Sequence, residues 1–136
     1  MKFFLETSVL IRFLLGDHPT QSPQAKLIIQ KAQLKEIELS TNELVLAELT
    51  WVLKSFYRLP KDEIIKHLRS VLSFSELKID NRKVIEDAME IFVTKNIDFT
   101  DAYFAATVKN NSFDAILSFD HDFDKISGIK RVEKIL

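Results

Sequence analysis

Cysteine is absent from the 136 residues, which excludes disulfide frameworks, thiolate zinc sites and cysteine nucleophiles. Glycine occurs twice and proline three times, leaving little room for long flexible linkers. Two glycines do not build a Gly-rich phosphate loop, and no Gly-x-Ser-x-Gly elbow is present. Neither charge sign is in excess: 19 Lys and Arg stand against 20 Asp and Glu, a net charge of −1. The chain thus lacks the bulk basicity of many nucleic-acid binders, and any nucleic acid must be held by a local basic rim or through metal ions. No apolar run reaches the roughly 18 residues of a membrane span. The start, Met1 to Glu6, meets a carboxylate too early for a secretory leader. The expectation is a cytoplasmic protein with no membrane contact.

What is present is an ordinary globular balance, 46% hydrophobic and 29% charged, with 11 Phe to fill a core. One domain over residues 1–136 is expected. Phe3-Phe4-Leu5 reads as a short buried strand feeding the turn Glu6-Thr7-Ser8. Val9, Leu10, Phe13 and Leu14 recur at helical spacing until Gly16 stops them. Ser22-Pro23 has the look of an N-cap with proline at the first helical position, opening a helix to about Leu34. Residues 36–40 alternate as a strand does, and Ser40 with Glu43 has capping-box spacing before the stripe Leu44, Ala47, Trp51.

After Pro60 a helix carries Ile64, Leu68 and Val71; Leu77-Lys78-Ile79 suits a third strand, and Asp80 suits the cap of a helix with Ile85, Ala88, Met89 and Phe92. Asp98-Phe99-Thr100-Asp101 opens another helix. Ala115-Ile116-Leu117 reads as a buried strand ending at Ser118-Phe119-Asp120, and a last weak strand lies near 130–133. Short strands alternating with helices predict an α/β fold with a parallel sheet, in which ligands sit outside the carboxyl ends of the strands.

The acids are the chemical signal, and each has a plain structural alternative. Glu6 follows a strand and precedes a helix, where a carboxylate also favours the helix dipole. Because Thr7 and Ser8 supply hydroxyls, Glu6 is not expected to be needed as a cap. Glu48 lies in the apolar run 44–53, either on one exposed stripe with Lys54 and Ser55 or buried with a partner. Asp98 and Asp101 have the spacing of an N-cap and a third helical position, a role compatible with metal binding. Asp120, Asp122 and Asp124 alternate as in an EF-hand, but Lys125 and Arg131 stand where Gly and Glu are required, so that motif is rejected. The histidines show no ligand spacing, and His121 reads as a solvated loop residue. What survives is carboxylates from four separate elements. Such a set suits hard cations with oxygen ligands, and the matching chemistry is metal-assisted phosphodiester hydrolysis.

The residues then show a family likeness. Phe4-Leu5-Glu6-Thr7-Ser8-Val9-Leu10-Ile11-Arg12-Phe13 resembles the first motif of PIN-domain proteins, specifically VapC-type toxin ribonucleases. Ala47-Glu48-Leu49 is similar to their second motif, Asp98-Phe99-Thr100-Asp101-Ala102-Tyr103 to the third, and Leu117-Ser118-Phe119-Asp120-His121-Asp122-Phe123 to the fourth. The resemblance implies a three-layer α/β fold with a short central parallel sheet flanked by helices, and an acidic Mg²⁺ or Mn²⁺ site. By position, the catalytic and metal-site acids would be Glu6, Glu48, Asp101 and Asp120, with Asp98 and Asp122 auxiliary and Ser8 and Ser118 as supporting hydroxyls. Arg12 and Lys54 are candidate phosphate contacts, or else solvated charges on helix faces.

The implied activity is that of a metal-dependent endoribonuclease, the toxin of a toxin–antitoxin pair. The expected partners are substrate RNA, a cognate antitoxin and a second copy in a homodimer. Trp51, Phe56 or Tyr57 are expected to be partly exposed for the antitoxin. One departure stands out: the family's first acid is ordinarily Asp, and Glu6 carries its carboxylate about 1.5 Å further. The alternative reading is therefore a catalytically weakened PIN-fold module that binds RNA or a protein without cleaving.

Overall fold

A computed structural model describes residues 1–135, so Leu136, the last residue of the expected domain, lies outside them. The chain divides into two compact units, residues 1–80 and 81–136. The first holds β1 (Lys2–Phe4), α1 (Thr7–Leu15), α2 (Gln21–Gln33), β2 (Glu38–Thr41), α3 (Glu43–Ser55), α4 (Lys61–Ser73) and β3 (Leu77–Ile79). Its sheet has the order β1-β2-β3 and is parallel throughout, with Phe3 opposite Leu39 and Leu39 opposite Leu77. The fold is α/β, as the alternation of elements predicts.

β1 is an edge strand, and this corrects the expectation of a buried Phe3-Phe4-Leu5. Phe3 and Phe4 are exposed, while Leu5, just past the strand, is the residue that enters the core. Its N–H donates to the Ser40 carbonyl at 2.7 Å, and its carbonyl accepts from the buried Thr41 hydroxyl at 2.9 Å. The strand end that leads to Glu6 is thereby fixed on the central strand β2.

Helix starts differ from the expected caps, each for a local reason. α2 begins at Gln21, before Ser22. The His18 ring Nδ1 lies 3.0 Å from the Gln21 N–H as acceptor, and Ser22 Oγ accepts from the His18 N–H. Pro23 still sits in the first turn, where its missing N–H leaves nothing unpaired. Because β2 runs to Thr41, Ser40 is inside the strand. Asn42 caps α3 instead, accepting from the Val45 N–H at 3.2 Å. At α5 the cap position is Asn81 rather than Asp80, and it holds φ at +57°, a left-handed conformation that asparagine tolerates. Gly16 does end α1 as expected, at φ +61°.

The stripe Leu44, Ala47, Trp51 is not the buried face of α3. Leu46, Leu49 and Leu53 are fully buried, and Leu44 and Trp51 are 73% and 66% exposed. The helix carries two apolar stripes at near-helical spacing, so periodicity alone could not choose between them. α1 packs on α2 and α3, and α3 on α4.

The second unit holds α5 (Arg82–Thr94), α6 (Phe99–Asn110), β4 (Ile116–Leu117), a 3-10 helix (His121–Lys125) and β5 (Arg131–Val132). α5 and α6 pack closely, and Ala88, Ala102, Ala105 and Ala106 have no exposed surface. Small residues let the two helix backbones approach. Phe92 and Phe99 meet edge to face, with ring centres 5.7 Å apart. β4 and β5 are parallel, pairing Ile116 with Arg131.

Candidate functional site

Three carboxylates of the second unit converge: Asp101, Asp120 and Asp122 each offer an oxygen within 4.8 Å of the others. Asp101 is the third residue of α6 and is half-buried. Asp120 follows β4 and caps the 3-10 helix, its Oδ1 accepting from the Asp122 N–H at 2.9 Å. The Ser118 hydroxyl in turn accepts from the Asp120 N–H at 2.9 Å. A strand end, two turns of side-chain hydrogen bonding and a helix start thus bring the three acids together.

The electrostatics agree with that crowding. Burial pushes the Asp101 carboxyl above its ordinary range, and the charges of Asp120, Asp98 and Asp122 push it further. One cation of the protein is already near: Lys125 Nζ lies 2.8 Å from Asp122 Oδ1, and it also donates to the Asn96 carbonyl. The donor set is oxygen only, which suits Mg²⁺ or Mn²⁺ over softer metals. Asp98 is at the cap position of α6, but its side chain makes no capping hydrogen bond.

In the first unit, Glu6 occupies the N-cap of α1, against the expectation that the neighbouring hydroxyls make it unnecessary there. Its Oε2 accepts from the Ser8 N–H at 3.1 Å and the Ser8 hydroxyl at 2.6 Å. Thr7 and Ser8 lie inside the helix, so the cap falls to the residue before them. Glu48 is exposed on the outer stripe of α3 between Leu44 and Trp51, with Lys54 and Ser55 also exposed. Arg12 donates to Gln21 Oε1 at 2.9 Å, Asp17 Oδ1 at 3.2 Å and the Tyr57 hydroxyl at 3.3 Å. Phe56 is 75% exposed and Tyr57 half-buried, its ring edge to face with Phe56. No helix among the described residues is long and apolar enough to cross a membrane.

No sequence pattern points to a role for Arg131, which opens β5 and bonds back to the segment carrying Asp120 and Asp122. A single arginine thirteen residues from its partner carbonyl has no local pattern to betray it.

A VapC ribonuclease of Aquifex aeolicus is 23% identical over 128 residues, covering 94% of this chain and 93% of that protein. A crystal structure of Mycobacterium tuberculosis VapC20, a toxin that cleaves the sarcin-ricin loop, is 20% identical. It covers 95% of this chain and 96% of that one, with a TM-score of 0.43. The PIN domain model matches residues 3–129, nearly the whole chain, and the chain belongs to the PIN-domain family.

Proposed function

We propose that this protein is a metal-dependent endoribonuclease, the toxin component of a toxin–antitoxin pair. The observation that carries the reading is the meeting of Asp101, Asp120 and Asp122. These three hold the divalent cation, Mg²⁺ or Mn²⁺, while Glu6 and Glu48 join the catalytic set on the strength of the sequence pattern. When bound, such an ion supplies electrostatic stabilisation to a phosphodiester undergoing hydrolysis. The chain's own part is to hold the carboxylates in place before the ion arrives. Asp122 and Ser118 orient Asp120 through the hydrogen bonds described, and Asp101 stands in the first turn of α6. Burial and the neighbouring acids favour the protonated Asp101 carboxyl, and a cation competes with that proton, so affinity for the ion increases with pH. Asp98 contributes charge at the edge of the site, and Arg12 and Lys54 contact RNA phosphate.

Neutralisation by an antitoxin fits the exposed Leu44, Trp51 and Phe56 at α3 and its C-terminus. A homodimer in the cytoplasm, folded as one PIN domain, completes the reading. One observation favours a second reading, binding without cleavage: Glu6 Oε2 already accepts two hydrogen bonds from Ser8. Incubating the native chain with a mixed-sequence RNA, in Mn²⁺ and in EDTA, separates the two. Cleavage in Mn²⁺ that stops in EDTA supports the ribonuclease; RNA retention without cleavage in either supports the binding module.

A further inference from the structure

Arg131 lies past residue 129, where the family match ends, and its side chain is only 10% exposed. Its guanidinium reaches several acceptors. Nη1 donates to the Ser118 carbonyl at 2.9 Å and to Glu133 Oε1 at 2.8 Å, and Nε donates to Asp124 Oδ1 at 3.0 Å. Nη2 lies 3.1 Å from His121 Nδ1. That same ring nitrogen is 3.1 Å from Asp124 Oδ2, and it can serve only one of the two at a time. Ser118 precedes Asp120, His121 lies between Asp120 and Asp122, and Asp124 follows them. The arginine therefore brackets the short segment on which two of the three clustered carboxylates sit.

We propose that Arg131 is a positioning residue for the metal site: its forked guanidinium ties Ser118 to Asp124 and so fixes the spacing of Asp120 and Asp122. The proposal rests on the reading of the carboxylate cluster as a cation site. The fork is essential to it, because separate nitrogens in one plane engage acceptors on both sides of the segment. A lysine offers the charge from a single nitrogen and cannot span them. Hydrogen bonds from Arg131 also hold the Asp124 and Glu133 carboxyls below the usual carboxylate range, as expected of ionised partners.

Charge and positioning give opposite signs on deletion of the arginine. By Coulomb's law alone, removing a cation beside an acidic site tightens the binding of a second cation. Loss of positioning weakens it, by about 10–100-fold where the supporting group of a metal ligand is removed.

The test is Mn²⁺ binding to the full chain, read from the electron paramagnetic resonance signal of the free ion, for the native protein, Arg131→Met and Arg131→Lys. Thermal unfolding in EDTA is measured alongside. We expect both variants to bind Mn²⁺ at least about 10-fold more weakly while each keeps a cooperative unfolding transition. Native or tighter affinity in Arg131→Met overturns the proposal while leaving the metal site intact. If Arg131→Met does not fold, Arg131→Lys decides, and native affinity there overturns it equally. A native chain that binds no Mn²⁺ removes the metal site itself, and the role of Arg131 falls with it.

Discussion

Glu6 has a structural role at the start of α1. Its carboxylate turns back to cap α1, accepting from both the amide and hydroxyl of Ser8. Glu6→Ala should cost about 1 kcal/mol of stability in urea unfolding, the usual loss for a side-chain cap. Glu6→Asp keeps a good cap and restores the family's shorter acid. Misplacement of a catalytic group on the order of 1 Å costs roughly 10²-fold, so this variant should cleave RNA faster in single turnover, by up to about that factor. A rate equal to that of the native chain would mean Glu6 is already competent.

Asp101 gives the pH prediction. Burial, then the charges of Asp120, Asp98 and Asp122, hold its carboxyl above the ordinary value of 3.8, so the folded state keeps this proton more tightly than the unfolded chain. The stabilisation is present below the unfolded value and is lost as pH rises through the folded one. Metal-free Asp101→Asn should therefore have a higher thermal midpoint than the native chain at pH 7, with the difference shrinking toward pH 4. A native midpoint at pH 7 would show the carboxyl unstrained.

Elements were legible where one signal dominated and illegible where two competed. Gly16 ended α1 because only one residue there suits a left-handed cap. The start of α3 is ambiguous in the sequence because Ser40, Thr41 and Asn42 all suit a helix cap, and how far β2 extends decides among them. Glu48 shares a stripe of α3 with Leu44 and Trp51, and only packing reveals that this stripe, not Leu46, Leu49 and Leu53, is the outer one. Asp101 and Asp120 stand out in the sequence because one opens a helix and the other follows a strand; the turn made by Asp120 brings Asp122 into the cluster beside them. The α5–α6 contact is made over buried alanines, a spacing that names no partner helix in the sequence. Ala105 has no exposed surface, so Ala105→Leu should destabilise by about 1–3 kcal/mol through overpacking. Leucine is nearly as good a helix former as alanine, so a loss seen in chemical unfolding reports packing rather than helix propensity.

At the scale of the whole molecule, the proposed function asks a near-neutral chain to handle a polyanion. With a net charge of −1, affinity for RNA under the proposed function cannot come from bulk charge and would draw on a bound cation. The expected single domain predicts one calorimetric transition whose enthalpy equals the van't Hoff value over the full chain; two resolved transitions would separate residues 1–80 from the rest. The account as a whole turns on whether the clustered carboxylates make RNA hydrolysis depend on a divalent ion. Single-turnover cleavage of a mixed-sequence RNA in Mn²⁺, native chain against Asp101→Asn, measures this most directly. The account predicts cleavage by the native chain and a loss of at least about 10²-fold in the variant, the scale on which a misplaced or missing catalytic group acts; cleavage undiminished in Asp101→Asn would contradict it.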